Sequence, residues 1–232
     1  MKILAFTDIH GNLNSLKALL QTEDFASADK VIFLGDVMFG CSRPDECINL
    51  LKAHNIDCLV GNNDYYTFDH IPLSAQNEFL RGKGVQMGYM RKLLSKENAE
   101  EMKTWPQDLS LMVDGKKFYF THYKWRQEGE EKNTAEVPEK QTASIMEKLF
   151  DIDADYIFYG HEHKPAEFRT KRKHLYCIGT LGLNRVGEYI VISIENKEVK
   201  VERKYVESDI LEELELMDEM GYPYSKKKIK ID

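Results

Sequence analysis

Three short apolar runs, Ile3–Phe6, Val31–Leu34 and Asp57–Val60, are separated by two stretches of helical periodicity. Strands that alternate with helices at this spacing cannot pair as tight hairpins. They call for parallel pairing through right-handed crossovers. In the first crossover Asn12 or Asn14 is placed to cap a helix carrying Leu13, Leu16, Leu19 and Leu20 on one face. In the second, Ser42-Arg43-Pro44-Asp45 resembles a capping box with proline in the first turn, and Cys47, Ile48 and Leu51 face inward. The N-terminal part is thereby committed to an α/β arrangement.

Later residues change character. The segment Tyr65–Trp105 has helical pieces starting near Ser74 and near Ser95, with a break at Gly82-Lys83-Gly84. Leu109–Val113 and Lys117–Thr121 flank Asp114-Gly115, a strong hairpin signal. Trp125–Val137 is polar and turn-rich, as expected of a surface loop. A helix over Pro138–Phe150 leads to an apolar strand, Asp155–Tyr159. Strands follow at Glu167–Thr170, His174–Ile178, Glu188–Ile194 and Glu198–Tyr205, and a charged helix over Asp209–Met220 closes the domain. With no internal repeat, low-complexity segment or linker, residues 1–232 are expected to form a single domain with two sheets. The tail from about residue 222, with Lys226-Lys227-Lys228-Ile229-Lys230, reads as a peripheral, solvated terminus.

Five of the strands end in polar residues: Asp8 and His10, Asp36, Asn62-Asn63-Asp64, His122, and His161 with His163. Residues two apart on a strand point the same way, so Asp8 and His10 can converge just past its carboxyl end. That is where parallel α/β sheets place ligands. Each turn alone has a plain explanation, since Gly-Asp and Gly-Asn are ordinary turns and a lone histidine is often a packing residue. Together they gather four of the seven histidines, leaving His54, His70 and His174 as surface or packing residues. Imidazole and carboxylate ligands without thiolates suit manganese, iron, zinc or nickel more than a structural zinc site.

Composition limits what such a centre serves. The net charge of −7 argues against a nonspecific nucleic-acid surface and would repel a phosphate unless cations reverse the local sign. No apolar run approaches the roughly 20 residues of a transmembrane helix, nor is there a signal-peptide core, so no membrane role and a cytoplasmic location are expected. Cys41, Cys47, Cys58 and Cys177 form no Cys-x-x-Cys pair and read as reduced thiols.

The order Asp-x-His, Gly-Asp, Gly-Asn-x-Asp, His, Gly-His-x-His resembles the calcineurin-like metallophosphoesterases, particularly their small single-domain bacterial and archaeal members. The resemblance runs from residue 1 to about 195 and includes Asp8-Ile9-His10-Gly11-Asn12 and Gly35-Asp36-Val37 through Pro44-Asp45-Glu46-Cys47. It implies a four-layer αββα sandwich, two mixed β-sheets flanked by helices. It also implies two divalent transition-metal ions (Mn, Fe, Ni or Zn, with Mn favoured). Asp8, His10, Asp36 and His163 would hold one and Asp36, Asn62, His122 and His161 the other, with Asp36 bridging. Two such ions, about 4 Å apart, bind phosphate oxygens and activate a bridging water, so no protein nucleophile is needed. Carried over residue by residue, His10, Asn63 and Asp64 are the catalytic candidates.

The sequence departs from the family at Asn63, where relatives have histidine. Asparagine donates a hydrogen bond but gives up no proton. General acid help contributes about 10²–10⁴ in rate, so phosphodiesters, nucleotides and aryl phosphates are expected ahead of alkyl monoesters. Tyr123 follows His122 where many relatives have glycine, which predicts a narrower mouth. Cys177-Ile178-Gly179-Thr180 stands where many relatives have Asn-Pro-Gly-Ser. Met38-Phe39-Gly40 replaces the arginine of relatives that act on phosphoproteins, which disfavours such substrates. Arg185 is a candidate phosphate contact, and Tyr65, Tyr66, Phe68, Trp125 and Arg126 are candidates for a nucleobase or aryl group. The rival expectation is a catalytically weak metal-binding scaffold on the same fold, as a retromer subunit of the superfamily exemplifies. The oligomeric state stays open.

Overall fold

The fold is organised around β1 (Lys2–Phe6). One side of β1 pairs in parallel with β2 (Lys30–Phe33), which in turn pairs in parallel with the short β3 (Asp57–Cys58). The other side pairs antiparallel with β9 (Val186–Glu195), whose outer neighbour is β10 (Glu198–Glu207). The second sheet runs β4 (Asp108–Val113), β5 (Lys116–Thr121), β6 (Tyr156–Tyr159), β8 (His174–Cys177) and β7 (Ala166–Arg169). β5, β6 and β8 are parallel to one another, and the two edge strands are antiparallel to their neighbours. This computed structural model describes residues 1–68, 88–128 and 134–222.

Period-2 alternation along the strands divides the interior into three apolar layers. From β1, Leu4 and Phe6 join the core under the helices, whereas Ile3 and Ala5 lie between the sheets. β9 repeats the division, with Tyr189 and Val191 on the helical side and Ile190, Ile192 and Ile194 between the sheets. β6 and β8 send Ile157, Tyr159, Leu175 and Cys177 to the third core and Phe158 and Tyr176 inward. Phe120, Phe158 and Tyr176 stack across β5, β6 and β8 with centroids 5.1 and 5.2 Å apart. The result is the αββα sandwich.

Helices cover the outer faces. α1 (Leu13–Leu20) is capped by Asn12, whose side chain accepts from the Ser15 amide. The four-residue α2 (Glu23–Ala26), capped by Thr22, has no counterpart in the sequence reading. α3 (Pro44–Ala53) buries Cys47, Ile48 and Leu51 as expected, but the capping box is corrected. Arg43 occupies the cap position without a side-chain bond, and the buried Ser42 hydroxyl has no hydrogen-bond partner. Pro44 already starts the helix, so Ser42 lies one residue too early. α4 (Asn62–Phe68) begins inside Gly61-Asn62-Asn63-Asp64, whose polar composition predicts a turn. α5 (Lys96–Met102) is capped by Ser95, as anticipated. α6 (Ala143–Leu149) is capped by Thr142 and starts five residues later than expected from Pro138. α7 (Ile210–Glu219), capped by Asp209, packs on α1. The expected helix start at Ser74, the Gly82-Lys83-Gly84 break and the lysine tail fall outside the described residues. Among the described residues, no helix is long and apolar enough to cross a membrane.

Candidate metal centre

The carboxyl ends of β1, β2, β5 and β6 meet at one place, and the chain turns sharply there. Asp8, His10, Asp36, His161 and His163 all have positive φ, between 51° and 71°. Non-glycine residues adopt this conformation at a cost of roughly 1–2 kcal/mol each, and such strain concentrates at functional sites. It is held by backbone bonds: Asp8 N–H donates to Gly35 O and His10 N–H to Asp36 O, both at 2.9 Å. These bonds tie the ends of β1 and β2 together and turn their polar residues into a common space.

Two sets of candidate ligand atoms result. Asp8, His10, Asp36 and His163 each offer one atom within 4.8 Å of the others, and Asp36, His122 and His161 form a second such set. Asp36 belongs to both. Asn62 joins the second, its Oδ1 lying 2.7 Å from His161 Nδ1 and 3.1 Å from His122 Nε2.

Backbone carbonyls orient the imidazoles. His10 Nδ1 lies 2.9 Å from Met38 O and His122 Nδ1 3.0 Å from Leu34 O. A carbonyl only accepts, so each Nδ1 carries its proton and Nε2 faces the cluster with a lone pair when the ring is neutral. His10 Nε2 is 3.0 Å from His163 Nε2, and both are near Asp8 Oδ1, at 3.4 and 3.0 Å. Two imidazole nitrogens and a carboxylate oxygen gathered this closely form a set that could hold a cation.

Outer bonds fix the carboxylates. Asp8 Oδ2 accepts from the Thr7 hydroxyl at 2.7 Å and the His161 amide at 3.0 Å. Thr180 donates to Asp8 O at 2.9 Å. Asp36 Oδ1 accepts from the Asn63 amide at 2.8 Å, and the Asn63 side chain donates to Asp36 Oδ2. Thr7, Leu34 O and Met38 O were not legible as site groups, because they act through generic bonds.

Without cations, charge in the cluster is strongly displaced. Burial works to raise Asp36, yet neighbouring His122 lowers it to about 2. Burial likewise opposes protonation of His122, but the Asp36 and Asp8 carboxylates raise it to about 9. Burial and the charge on His122 push His161 down to about 3. His163 is the open side of the cluster, its side chain 36% exposed while Asp8, His10, Asp36 and His122 are buried.

The other candidates fall in different places. Both Asp64 oxygens face backbone amides: Oδ2 accepts from Asp36 at 2.8 Å and Gly61 at 2.9 Å, and Oδ1 from Val37 and Met38 at 3.0 Å. Burial and then the Asp36 charge raise Asp64 to about 6, against the pull of those amides. Trp125 is buried, its ring 6.0 Å from that of His122 and edge-on to Tyr65 at 5.5 Å. Arg126 is exposed. Arg185 is also exposed, with its guanidinium 3.9 Å from Glu207. The narrower mouth expected from Tyr123 is corrected, because this side chain packs inward against Phe150 and Tyr159 with its ring 5.0 Å from His161.

Comparison with known proteins identifies the family and the fold. The model of the calcineurin-like phosphoesterase superfamily domain matches residues 1–197. A protein of Methanocaldococcus jannaschii is 25% identical over 189 residues, covering 82% of this chain and 73% of that protein. Among solved structures, a metallophosphoesterase from Sphaerobacter thermophilus superposes with a TM-score of 0.71 at 22% identity, covering 96% of this chain and 95% of its own. A protein from Pyrococcus horikoshii OT3 superposes with a TM-score of 0.78 at 17% identity, covering 98% and 96%.

Proposed function

Given that the chain belongs to the calcineurin-like phosphoesterase superfamily, we propose that it is a dinuclear metal-dependent hydrolase of phosphodiester, nucleotide or aryl phosphate bonds. The observation that carries this reading is the pair of ligand sets sharing Asp36. Asp8, His10, Asp36 and His163 would hold one divalent ion and Asp36, Asn62, His122 and His161 the other, with manganese favoured. When bound, such ions would supply Lewis-acid neutralisation of phosphate oxygens and would lower the pKa of a water so that it gives up a proton near neutral pH and becomes nucleophilic.

The chain's own residues set the rest. The carbonyls of Met38 and Leu34 hold His10 and His122 with Nε2 inward. Thr7 and the His161 amide hold Asp8. Asp64 acts as the clamp of the Asp36–Met38 turn, since its oxygens are committed to amides. Asn63 holds both oxygens of Asp36 and has no proton to give a leaving group. The leaving oxygen therefore takes its proton from water, which favours aryl esters, diesters and anhydrides. The placement of Trp125 supports a packing role against His122. Arg126 and Arg185 are not assigned to substrate. A cytoplasmic setting is consistent with four free cysteines.

The test compares Mn²⁺-loaded wild type and Asp36→Asn on bis-aryl and mono-aryl phosphates. The variant is expected to lose at least about 100-fold, the upper end of what losing an outer partner of a ligand costs. Equal rates in both proteins would sink the hydrolase reading. Metal uptake without turnover would favour the scaffold reading, to which Asn63 points.

A further inference from the structure

The C-terminal helix α7 carries one fully buried carboxylate, Glu213. Its Oε1 accepts from the Asn14 amide in the first turn of α1 at 3.1 Å and from Arg43 Nη2. Its Oε2 accepts from Arg43 Nε at 3.3 Å. Arg43 Nη2 also donates to Asn14 Oδ1 at 3.0 Å, and Asn14 Nδ2 donates to Asp209 O at 3.0 Å and Glu212 Oε2 at 2.9 Å. Ser15 and Ser208 hydroxyls meet at 2.7 Å. The segment Ser208–Glu213 is thus fastened to the start of α1, which follows directly on His10-Gly11-Asn12.

Arg43 extends this network to the metal loop. Its amide donates to Gly11 O at 3.2 Å, and two residues earlier the Cys41 amide donates to His10 O at 2.6 Å. The two loops are in close contact: a Cβ on Gly11 would stand 2.6 Å from Cys41 O, and one on Gly40 2.6 Å from His10 Cβ. His10 is therefore wedged between its own bonds to Asp36 O and Met38 O and the Gly40–Arg43 strap. All of α7 lies beyond residues 1–197 matched by the family model.

We propose that Glu213 and Arg43 are positioning residues, a clamp through which the C-terminal helix holds His10 in register with Asp8 and His163. The proposal rests on the dinuclear reading above. A buried carboxylate needs its partner, whereas replacing both members of such a pair by apolar residues is often neutral for stability. This separates positioning from folding.

The experiment titrates Mn²⁺ calorimetrically into metal-free wild type, Glu213→Gln, and the double variant Arg43→Met with Glu213→Leu, well below their unfolding temperatures. The binding step that survives in His122→Ala identifies the His10 side. In both clamp variants that step is expected to weaken about tenfold, the lower end for loss of an outer partner. The other step should change less than about threefold. The double variant keeps the comparison meaningful should the single one not fold. Unchanged affinity, or equal weakening of both steps, would overturn the clamp while leaving the metal centre intact. No uptake by wild type would overturn both.

Discussion

Under the proposed hydrolase function, Asn63 is the residue on which the chemistry would turn. It grips both oxygens of Asp36, one through its amide at 2.8 Å and one through its side chain. A carboxylate held this way is fixed in place, but nothing at position 63 can protonate a departing alkoxide. Asn63→His would restore a titratable group there. Hydrolysis of alkyl phosphate monoesters is expected to rise by about 100-fold, within the range of general acid help. Aryl esters, whose leaving groups need little protonation, should change little. Steady-state rates on a matched alkyl and aryl series measure this. An equal gain on both, or none on the alkyl ester, would remove Asn63 as the cause of the expected preference. The substitution itself was visible in the sequence. Its grip on Asp36 was not, because side-chain direction at a loop-to-helix junction depends on where the helix starts.

At the scale of elements, Asp64 joins three pieces: the Asp36–Met38 turn after β2, the Gly61 amide after β3, and its own helix α4. Asp64→Asn leaves one oxygen for one pair of amide donors and sets an NH₂ group against the other pair. About 2 kcal/mol should be lost, since bonds to a charged acceptor are worth about 1.5–3 kcal/mol and the charge burial is relieved in exchange. For a chain of this size that is a fall of about 4–8 °C in Tm, measurable by circular dichroism on metal-free protein. Retained Tm would mean that the carboxylate is not what holds the turn. The elements also show where sequence patterns carry information. Strands buried on both faces stood out as apolar runs, and the Asp114-Gly115 hairpin follows from the positive φ at both residues, 49° and 78°. α4 was missed because Gly61-Asn62-Asn63-Asp64 is polar turn chemistry, although it opens a helix. The positive φ shared by five candidate ligand residues was not legible either. Aspartate and histidine visit that region only somewhat more often than other residues, so the turn is imposed by the bonds between β1 and β2.

For the whole molecule, the candidate centre is expected to make stability depend on pH differently with and without metal. His122 is raised to about 9 in the folded metal-free chain, so its pairing with Asp36 and Asp8 contributes fully below the unfolded value of 6.5 and is lost as pH rises toward 9. Asp36, lowered to about 2, contributes fully above 3.8 and is constant in this window. His161, lowered to about 3, is already neutral there. The Tm of metal-free protein is therefore expected to fall between pH 6.5 and 9, by about 4–8 °C for each 2 kcal/mol lost. Coordination needs the unprotonated imidazole, so metal affinity grows over the same range. A ligand at 100 times its Kd adds about 2.7 kcal/mol per site. The rise in Tm caused by Mn²⁺ should then be larger at pH 8.5 than at pH 6.5, flattening or reversing the decline seen without it. Parallel pH profiles with and without Mn²⁺ would mean that His122 does not exchange its proton for a cation, and the second ligand set would lose its support.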